Sequence, residues 1–369
     1  MGLELDASSQ DTDQALLTVV VPVYNGHRYL PSCLKALISG QGVDCEIVVV
    51  DDCSVDETRR VVQEFGVTYL KTAVRSGPAA ARNLGVQHAR GGIVVFVDAD
   101  VVLRPQSLRL IADDFRKDPE LAAVFGSYDE APAESNFVSQ YKNLMHHYVH
   151  QRATEAQVSF WAGCGAIRRN IFFEVGGFDE ERFPRPSIED IELGLRLSKA
   201  GKKIRLNKNL QGTHLKKWTL SGLVYTDIFC RAVPWTRLIL ESHTLPRNLN
   251  LDYTSRASAT LTGALFLGCI GLPLKLVHPA VDVASWSAWS AAFAMLVLAL
   301  TILNWGVYKW FATRRGEWFA ARAIGLHWFY YFYSGCAFVV CTADHFVRSC
   351  IDSKRGPRLF QRESKFGEG

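Results

Sequence analysis

Five consecutive apolar residues, 93–97, run without a break into Asp98-Ala99-Asp100. The run is short, rich in β-branched side chains and preceded by Gly91-Gly92, which suits a strand buried on both faces. Such strands belong to parallel sheets whose two faces are covered by helices. Two carboxylates at i and i+2, just past the carboxyl end of the strand, fall where open α/β sheets place their ligands. Oxygen-rich pairs of this kind suit Mg²⁺ or Mn²⁺ bridging a diphosphate. Asp is also common in plain turns, for the hydrogen bonds it makes to backbone, so the neighbouring motifs decide between the two.

The chain ahead of this stretch repeats its pattern. Residues 16–23 form a first apolar run, ending at Tyr24-Asn25-Gly26. Pro22 removes a donor there, so the end of that strand is expected to bend or to lack a full partner. Residues 46–50 make a second run, ending at Asp51-Asp52-Cys53-Ser54, and residues 67–70 a short third. Between them lie helical stretches: Leu30, Leu34, Leu37 and Ile38 share one face, Ser54 and Glu57 read as a capping box opening the next helix, and Pro78 suits the first turn of a third. Strand and helix alternate four deep, which predicts a doubly wound, parallel α/β sheet. Further on, the pattern predicts a helix over 105–116, a strand over 122–128 and a helix over 135–151. A Gly-rich strand or turn is expected over 160–167, an amphipathic helix over 189–198 and a short strand over 203–206.

The second half of the chain is a different material. Residues 257–274, 283–308 and 323–343 are free of Asp, Glu, Lys and Arg, runs of 18, 26 and 21 residues. At ~20 residues per crossing each is long enough to span a bilayer. Residues 220–240 mix Phe229, Trp235 and Leu238 with Arg231 and Arg237, the composition of a helix at a membrane surface, broken at Pro234. The net charge of +4 is small and the basic residues lie beside the apolar runs rather than in a dense stripe, which argues against nucleic acid and for a membrane partner. Nine cysteines show no Cys-x-x-Cys and no His at zinc spacing, so a reducing compartment is expected. The polar, acidic residues 1–14 carry no signal-peptide pattern, and the catalytic part is expected to face the cytoplasm. The division is 1–15 flexible, 16–218 catalytic, 219–256 interfacial, 257–345 with two to three spans, and a basic tail over 346–369. A third span would put Lys354, Arg355, Arg358 and Arg362 on the far side, against the positive-inside tendency.

Val-Pro-Val-Tyr-Asn after the first strand, Asp51-Asp52-x-Ser-x-Asp56-x-Thr58 after the second, Ala81-Arg82-Asn83-x-Gly85 and then Asp98-Ala-Asp100 resemble the family 2 glycosyltransferases of the GT-A fold. Gly176-Gly-Phe-Asp179, Glu189-Asp190 and His214 continue that family's order, so the resemblance covers roughly residues 16–218. It implies an inverting transferase with a Rossmann-like, mostly parallel sheet and a nucleotide-sugar donor, expected to be a UDP-sugar, bound at Pro22, Tyr24, Asn25, Asp51, Asp52, Arg82, Asn83 and Asp98. Asp52 matches the base-contacting position, while Asp51 supports the loop or caps a helix. Arg82 pairs either with the diphosphate, whose oxygens its fork fits, or with a structural carboxylate. Asp98 and Asp100 are expected in the Mn²⁺ or Mg²⁺ shell, with His214 completing it, and Lys216 and Lys217 stand near enough to meet phosphates. Asp190 matches the catalytic base and Glu189 a supporting or acceptor-orienting group.

A base-equipped site implies a hydroxyl acceptor, lipid-linked or close to the membrane. Transfer onto a polyprenyl phosphate, already ionised near neutral pH, needs no base. Processive polymer synthases usually carry Gln-x-x-Arg-Trp after the His; here that region reads Arg231-Ala-Val-Pro-Trp235, which favours single addition. Two alternatives remain: a polyprenyl-phosphate glycosyltransferase, and a catalytically silent scaffold that binds nucleotide sugar.

Overall fold

The structure, a computed structural model, describes residues 17–40, 43–242, 252–277 and 283–354. β1 (Leu17–Val23), α1 (Leu30–Ile38), β2 (Cys45–Asp51), α2 (Thr58–Phe65), β3 (Thr68–Lys71), α3 (Gly77–His88) and β4 (Ile93–Val97) alternate as the apolar runs predict. They are followed by β5 (Val101–Leu103), α4 (Ser107–Lys117), β6 (Leu121–Tyr128), α5 (Phe137–Arg152), β7 (Ala156–Gln157), β8 (Cys164–Arg168), α6 (Arg169–Glu174), α7 (Glu189–Lys199) and β9 (Lys203–His214). The rest is helical: α8 (Leu220–Tyr225), a π-helix (Thr226–Ala232), α9 (Val233–Ser242), α10 (Tyr253–Val277), α11 (Val283–Leu303), α12 (Trp305–Arg315) and α13 (Glu317–Lys354).

One nine-stranded sheet runs β3-β2-β1-β4-β8-β6-β9-β5, with β7 on β9. β3, β2, β1 and β4 are parallel, and β1 is in register with β2 along its whole length but with β4 only from Leu17 to Val20. The end of β1 around Pro22 therefore has one partner, as its missing donor requires. Beyond β4 the expectation of a parallel sheet fails. β8 is antiparallel to both β4 and β6, β6 and β9 are parallel, and β5 and β7 pair antiparallel with β9. The physical reason is connectivity: β8 emerges from the Gly-rich turn at 161–163, not from a crossover helix, so it can run back along β4.

Two apolar layers enclose the sheet. Val19, Val21, Val49, Val95 and Val97 face α1, α2 and α4, while Val20, Val48, Val50, Val94 and Phe96 face α3 and α7. The strands alternate sides as a pleat must. On the second side Phe96 meets the rings of Phe160, Phe172 and Phe178 at centroid distances of 6.3, 5.9 and 5.2 Å. Gly194 of α7 lies against that layer: a Cβ there would stand 2.3 Å from the Phe160 nitrogen and 2.6 Å from the Ser159 carbonyl carbon. Gly194→Ala is expected to cost about 1–3 kcal/mol through overpacking, seen as a lower melting temperature. Gly92→Ala, whose Cβ meets nothing within 4 Å, is the control.

Three local expectations are corrected. Ser54 and Glu57 form no capping box: α2 begins at Thr58, whose N–H donates to Asp56 Oδ1, and Ser54 Oγ instead accepts from the Asn25 N–H. The short strand expected at 203–206 is the start of the twelve-residue β9. Helix is not broken at Pro234, which directly follows the π-helix in the first turn of α9, where the backbone bonding is already displaced from the ordinary ladder.

The apolar C-terminal runs are redistributed as well. The run 283–308 is split at Asn304, whose Nδ2 donates to Ser258 Oγ and whose Oδ1 accepts from Tyr331 OH. The run 323–343 is not one free span: Ala323, His327, Tyr331 and Tyr333 are buried, and Tyr141, Leu144 and Trp218 of the catalytic part pack with Phe311 and Ala323 in one cluster. By length and composition, Trp286–Leu303 and Glu317–Ile351 are long and apolar enough to cross a membrane. Of the basic tail expected over 346–369, residues 346–354 continue α13 and residues 355–369 lie outside the described residues, as do all of residues 1–15, expected to be flexible.

Candidate active site

The site is assembled at the carboxyl ends of β1, β2 and β4 and closed by the start of α7 and the end of β9. A cavity of about 180 Å³ opens there, lined among others by Pro22, Tyr24, Asp52, Arg75, Gly77 and Arg185. The Arg75 guanidinium lies 3.9 Å above the Tyr24 ring, a stacked pair of flat groups that suits a base beside it.

Asp52 points into this cavity with its carboxylate largely committed. Oδ1 accepts from the Ser76 N–H at 2.7 Å and from Thr72 Oγ1 at 3.0 Å, and Oδ2 accepts from the Gly77 N–H at 2.8 Å. The donors at Ser76 and Gly77 belong to the N-terminus of α3, so the negative charge is stabilised where helix N–H groups are otherwise unpaired. Gly77 has φ +87° and its Cβ position would stand 2.6 Å from the Pro184 carbonyl oxygen, so only glycine lets this turn close on the loop before α7. Asp51 takes the supporting alternative: Oδ1 accepts from the Ser54 N–H and Oδ2 from Tyr69 OH.

Two residues expected at the nucleotide are engaged elsewhere. Asn83 accepts from the Phe178 N–H and donates to the Phe178 carbonyl and to Glu180, so both ends of its amide latch the loop after α6. Asn25, with φ +50°, accepts from the Val55 N–H and ties the β1 and β2 loops together. In both, a planar amide with a donor and an acceptor satisfies irregular backbone.

Arg82 resolves its two alternatives in favour of protein carboxylates. Its buried guanidinium donates from Nη2 to Asp98 Oδ1 at 2.7 Å and from Nη1 to Glu189 Oε1 at 2.9 Å. Burial disfavours the charge, yet Asp98, Glu189 and Asp190 more than compensate and raise its pKa. Glu189 Oε2 accepts from the Ser187 N–H, so each Glu189 oxygen has one partner. Asp190, one residue on, accepts from the Ala162 N–H and from the Ile191 N–H. Burial, then the neighbouring Glu189, raises its pKa to about 6, against the opposing pull of Arg82.

On the other flank, β5 pairs with β9 so that Val101 faces His214, which brings Asp100 beside that ring. His214 Nε2 stands 3.6 Å from Asp100 Oδ2, and its ring stacks on Tyr128 at 4.3 Å and 15°. Burial raises the Asp100 pKa, but His214 and Lys216 together hold it below the ordinary value. Burial, partly opposed by Arg82 and seconded by Asp100, pushes the Asp98 carboxyl up. The expected three-ligand set does not converge: Asp98 is turned to Arg82, and among the described residues no three His, Cys, Asp or Glu side chains form a ready metal cage. Asp100 and His214 still fit a divalent ion, because ligands at about 2.1 Å from one cation can stand 3.6 Å apart, and Mg²⁺-type sites take their other ligands from phosphate and water. Lys216 is exposed, its Nζ 4.4 Å over the Trp218 ring.

Sequence reasoning passed over Arg75, Arg185, Ser187 and Tyr128. Arg75 and Arg185 stand in loops without motif, and Tyr128 reads as an ordinary end of strand. Ser187, two residues ahead of Glu189, was the one signal available.

Comparison with known proteins agrees with this geometry. Residues 18–176 match the family model "Glycosyl transferase family 2". The chain is 29% identical over 213 residues to the chondroitin synthase of Escherichia coli, a stretch covering 55% of this chain and 30% of that protein. It is 31% identical over 131 residues to the poly(ribitol-phosphate) beta-N-acetylglucosaminyltransferase of Staphylococcus aureus, covering 32% of this chain and 23% of that one. The matched stretch thus spans less than a third of the length of these curated relatives. In fold, the chain resembles a mannosyltransferase from Pyrobaculum calidifontis, solved in complex with GDP-Man and Mn²⁺, with a TM-score of 0.55 and 19% identity over 84% of this chain and 86% of that chain.

Proposed function

We propose that this chain, a glycosyltransferase carrying a family 2 domain, moves a sugar from a UDP-sugar to a hydroxyl of a lipid-linked or membrane-proximal acceptor, with inversion at the anomeric carbon. The observation that carries the reading is Asp190: a half-buried carboxylate with its pKa raised to about 6, beside Glu189 at the head of the helix that follows the cavity-lining Pro184, Arg185 and Pro186. A base works best with its pKa near the operating pH. It takes the acceptor hydroxyl proton while that oxygen attacks the anomeric carbon and the bond to the diphosphate breaks. An already ionised phosphate acceptor would have no use for it.

Uridine as the donor base is supported by the state of Asp52. A carboxylate offers about four acceptor positions, and three are taken by Ser76, Gly77 and Thr72. One position on Oδ2 remains, which suits a base presenting a single ring N–H. Asp100 and His214 would hold the Mn²⁺ or Mg²⁺ ion, with Asp98 oriented behind them by Arg82. Bound there with the donor diphosphate, the ion supplies positive charge against the negative charge that builds on the leaving group.

Membrane attachment through α10, α11 and the outer part of α13 is supported by the open apolar surface of Trp286–Leu303, only 6% of which is buried. Arg314 pairs with Glu130, and Arg315 donates to Gln140 Oε1 and the Glu130 carbonyl. The basic loop between α12 and α13 therefore lies on the catalytic side, which supports a cytoplasmic face by the positive-inside rule.

The test is a donor panel on the full chain in lipid extract, with Mn²⁺ and with EDTA. Metal-dependent release of UDP from one UDP-sugar is the expected result. Release from GDP-sugars alone would refute the uridine assignment, and no turnover of any donor would favour the silent scaffold.

A further inference from the structure

Asp227 is a buried carboxylate with no part in the site described above. It lies in the π-helix, among exposed Tyr225 and Phe229, yet its own side chain joins three elements. Oδ1 accepts from Lys142 Nζ of α5 at 2.7 Å and from Arg231 Nη1 at 3.3 Å, and Oδ2 accepts from Tyr333 OH of α13 at 2.9 Å. Lys142 is half-buried, and its loss of water followed by the nearby Arg231 lowers its pKa to about 8 despite Asp227.

The same π-helix reaches the segment that precedes the catalytic helix. Ser187 Oγ donates to the Cys230 carbonyl at 3.1 Å, and the Ser187 N–H donates to Glu189 Oε2 at 2.9 Å. Π-helical turns bond i to i+5 and recur at functional sites, where they displace backbone groups from the ordinary ladder. The Val233 N–H does bond back to the Ile228 carbonyl. Apolar contacts run beside the polar ones: Leu238 and Trp235 of α9 pack on Phe183, Ile188 and Ile191. A continuous path therefore leads from Tyr333 through Asp227 and Cys230 to Ser187 and Glu189, and so to Asp190.

We propose that Asp227 is a positioning residue for Asp190, acting through the π-helix and Ser187, so that the seat of α13 on the catalytic domain sets where the base stands. This rests on Asp190 being the base. A buried ionic node of this kind gains little stability over an apolar one; what it supplies is a fixed geometry between three elements that are far apart in sequence.

The experiment compares Tyr333→Phe, Ser187→Ala, their double variant and Asp227→Asn in the full chain, with UDP release from the UDP-sugar that the donor panel identifies, in lipid extract. Each single change is expected to lower kcat by about 2- to 30-fold, with donor KM and UDP affinity unchanged. The double variant is expected to be no worse than the worse single, since both cut one path, and Ser187→Thr is expected to restore kcat. Unchanged kcat in Tyr333→Phe and Ser187→Ala, or effects that multiply in the double, would overturn the proposal while Asp190→Asn remains inactive. Wild-type turnover by Asp190→Asn would remove the base reading itself, and the proposal with it. These two single variants each delete one hydrogen bond, so the test stands even where Asp227→Asn fails to fold.

Discussion

Asp190→Asn is expected to lower sugar transfer by about 10²–10⁴-fold, the usual contribution of a positioned base, while UDP affinity stays at the wild-type level. The amide keeps one oxygen, so it still accepts from one of the two N–H groups, Ala162 and Ile191, that the carboxylate accepts from on separate oxygens. What disappears is the capacity to take a proton. The pH profile sharpens the test. Because burial and Glu189 raise the Asp190 pKa to about 6, the base form is populated above that pH and lost below it. kcat/KM is therefore expected to rise with pH up to about 6 and then flatten. The charged groups around Asp190 are Glu189, Arg82 and Asp98. Glu189→Gln removes the neighbouring negative charge but keeps an acceptor for Arg82, so the acid limb is expected to move to lower pH. A limb that stays in place in Glu189→Gln, or an Asp190→Asn enzyme that turns over at the wild-type rate, would defeat the assignment.

The sequence was most informative where one force dominates. Residues 17–23, 45–51 and 93–97 are apolar, β-branched and bounded by turn residues, and their burial on both faces left no competing fold for them. Asp52, Glu189 and Asp190 stand out in the sequence through the motif order, and the structure places them at the end of β2 and the start of α7. β9 was misjudged because Lys203–His214 looks polar: only alternate residues such as Ile204, Leu206, Leu210 and His214 are buried, and its pairing with β6 is interrupted by register shifts. The loop-tying bonds of Asn83 and Asn25 were not legible, because motif position does not reveal which backbone groups lie opposite a side chain. Asp227 went unnoticed for a related reason. A single acid in an apolar stretch is a legible anomaly, but its partners Lys142 and Tyr333 lie 85 and 106 residues away.

Those long-range pairings also explain why the C-terminal runs divided differently from expectation. Hydropathy registers that residues 323–343 are apolar; it does not distinguish lipid from the flank of a neighbouring domain. Tyr331 and Tyr333 place their hydroxyls on Asn304 and Asp227, and a tyrosine buried with its hydroxyl satisfied is as much at home in a protein interior as at an interface. The catalytic part thus claims the first half of α13 and leaves the second half, with Phe338, Val339, Val340 and Phe346 exposed, to other surroundings.

Asp100→Ala is expected to reduce transfer by about 10²–10³-fold, the scale of losing one electrostatic stabiliser of a developing charge, and to abolish any gain in UDP affinity on adding Mn²⁺. The second readout matters because it does not depend on turnover. The sign of the Asp100 shift follows from its surroundings: His214 and Lys216 outweigh burial and hold the carboxyl ionised, which is the form a hard cation requires. His214→Ala is expected to act in the same direction but less strongly, since it removes a neutral ligand and leaves the carboxylate. Asp98 differs from both. Its Oδ1 is committed to Arg82, so Asp98→Asn is expected to weaken transfer with a smaller loss of Mn²⁺-dependent UDP binding than Asp100→Ala. If UDP binds equally well with Mn²⁺ and with EDTA in the wild-type chain, the ion has no place between Asp100, His214 and the diphosphate. Charge on the leaving group would then fall to cations of the chain, with Lys216 beside Asp100 the first to replace.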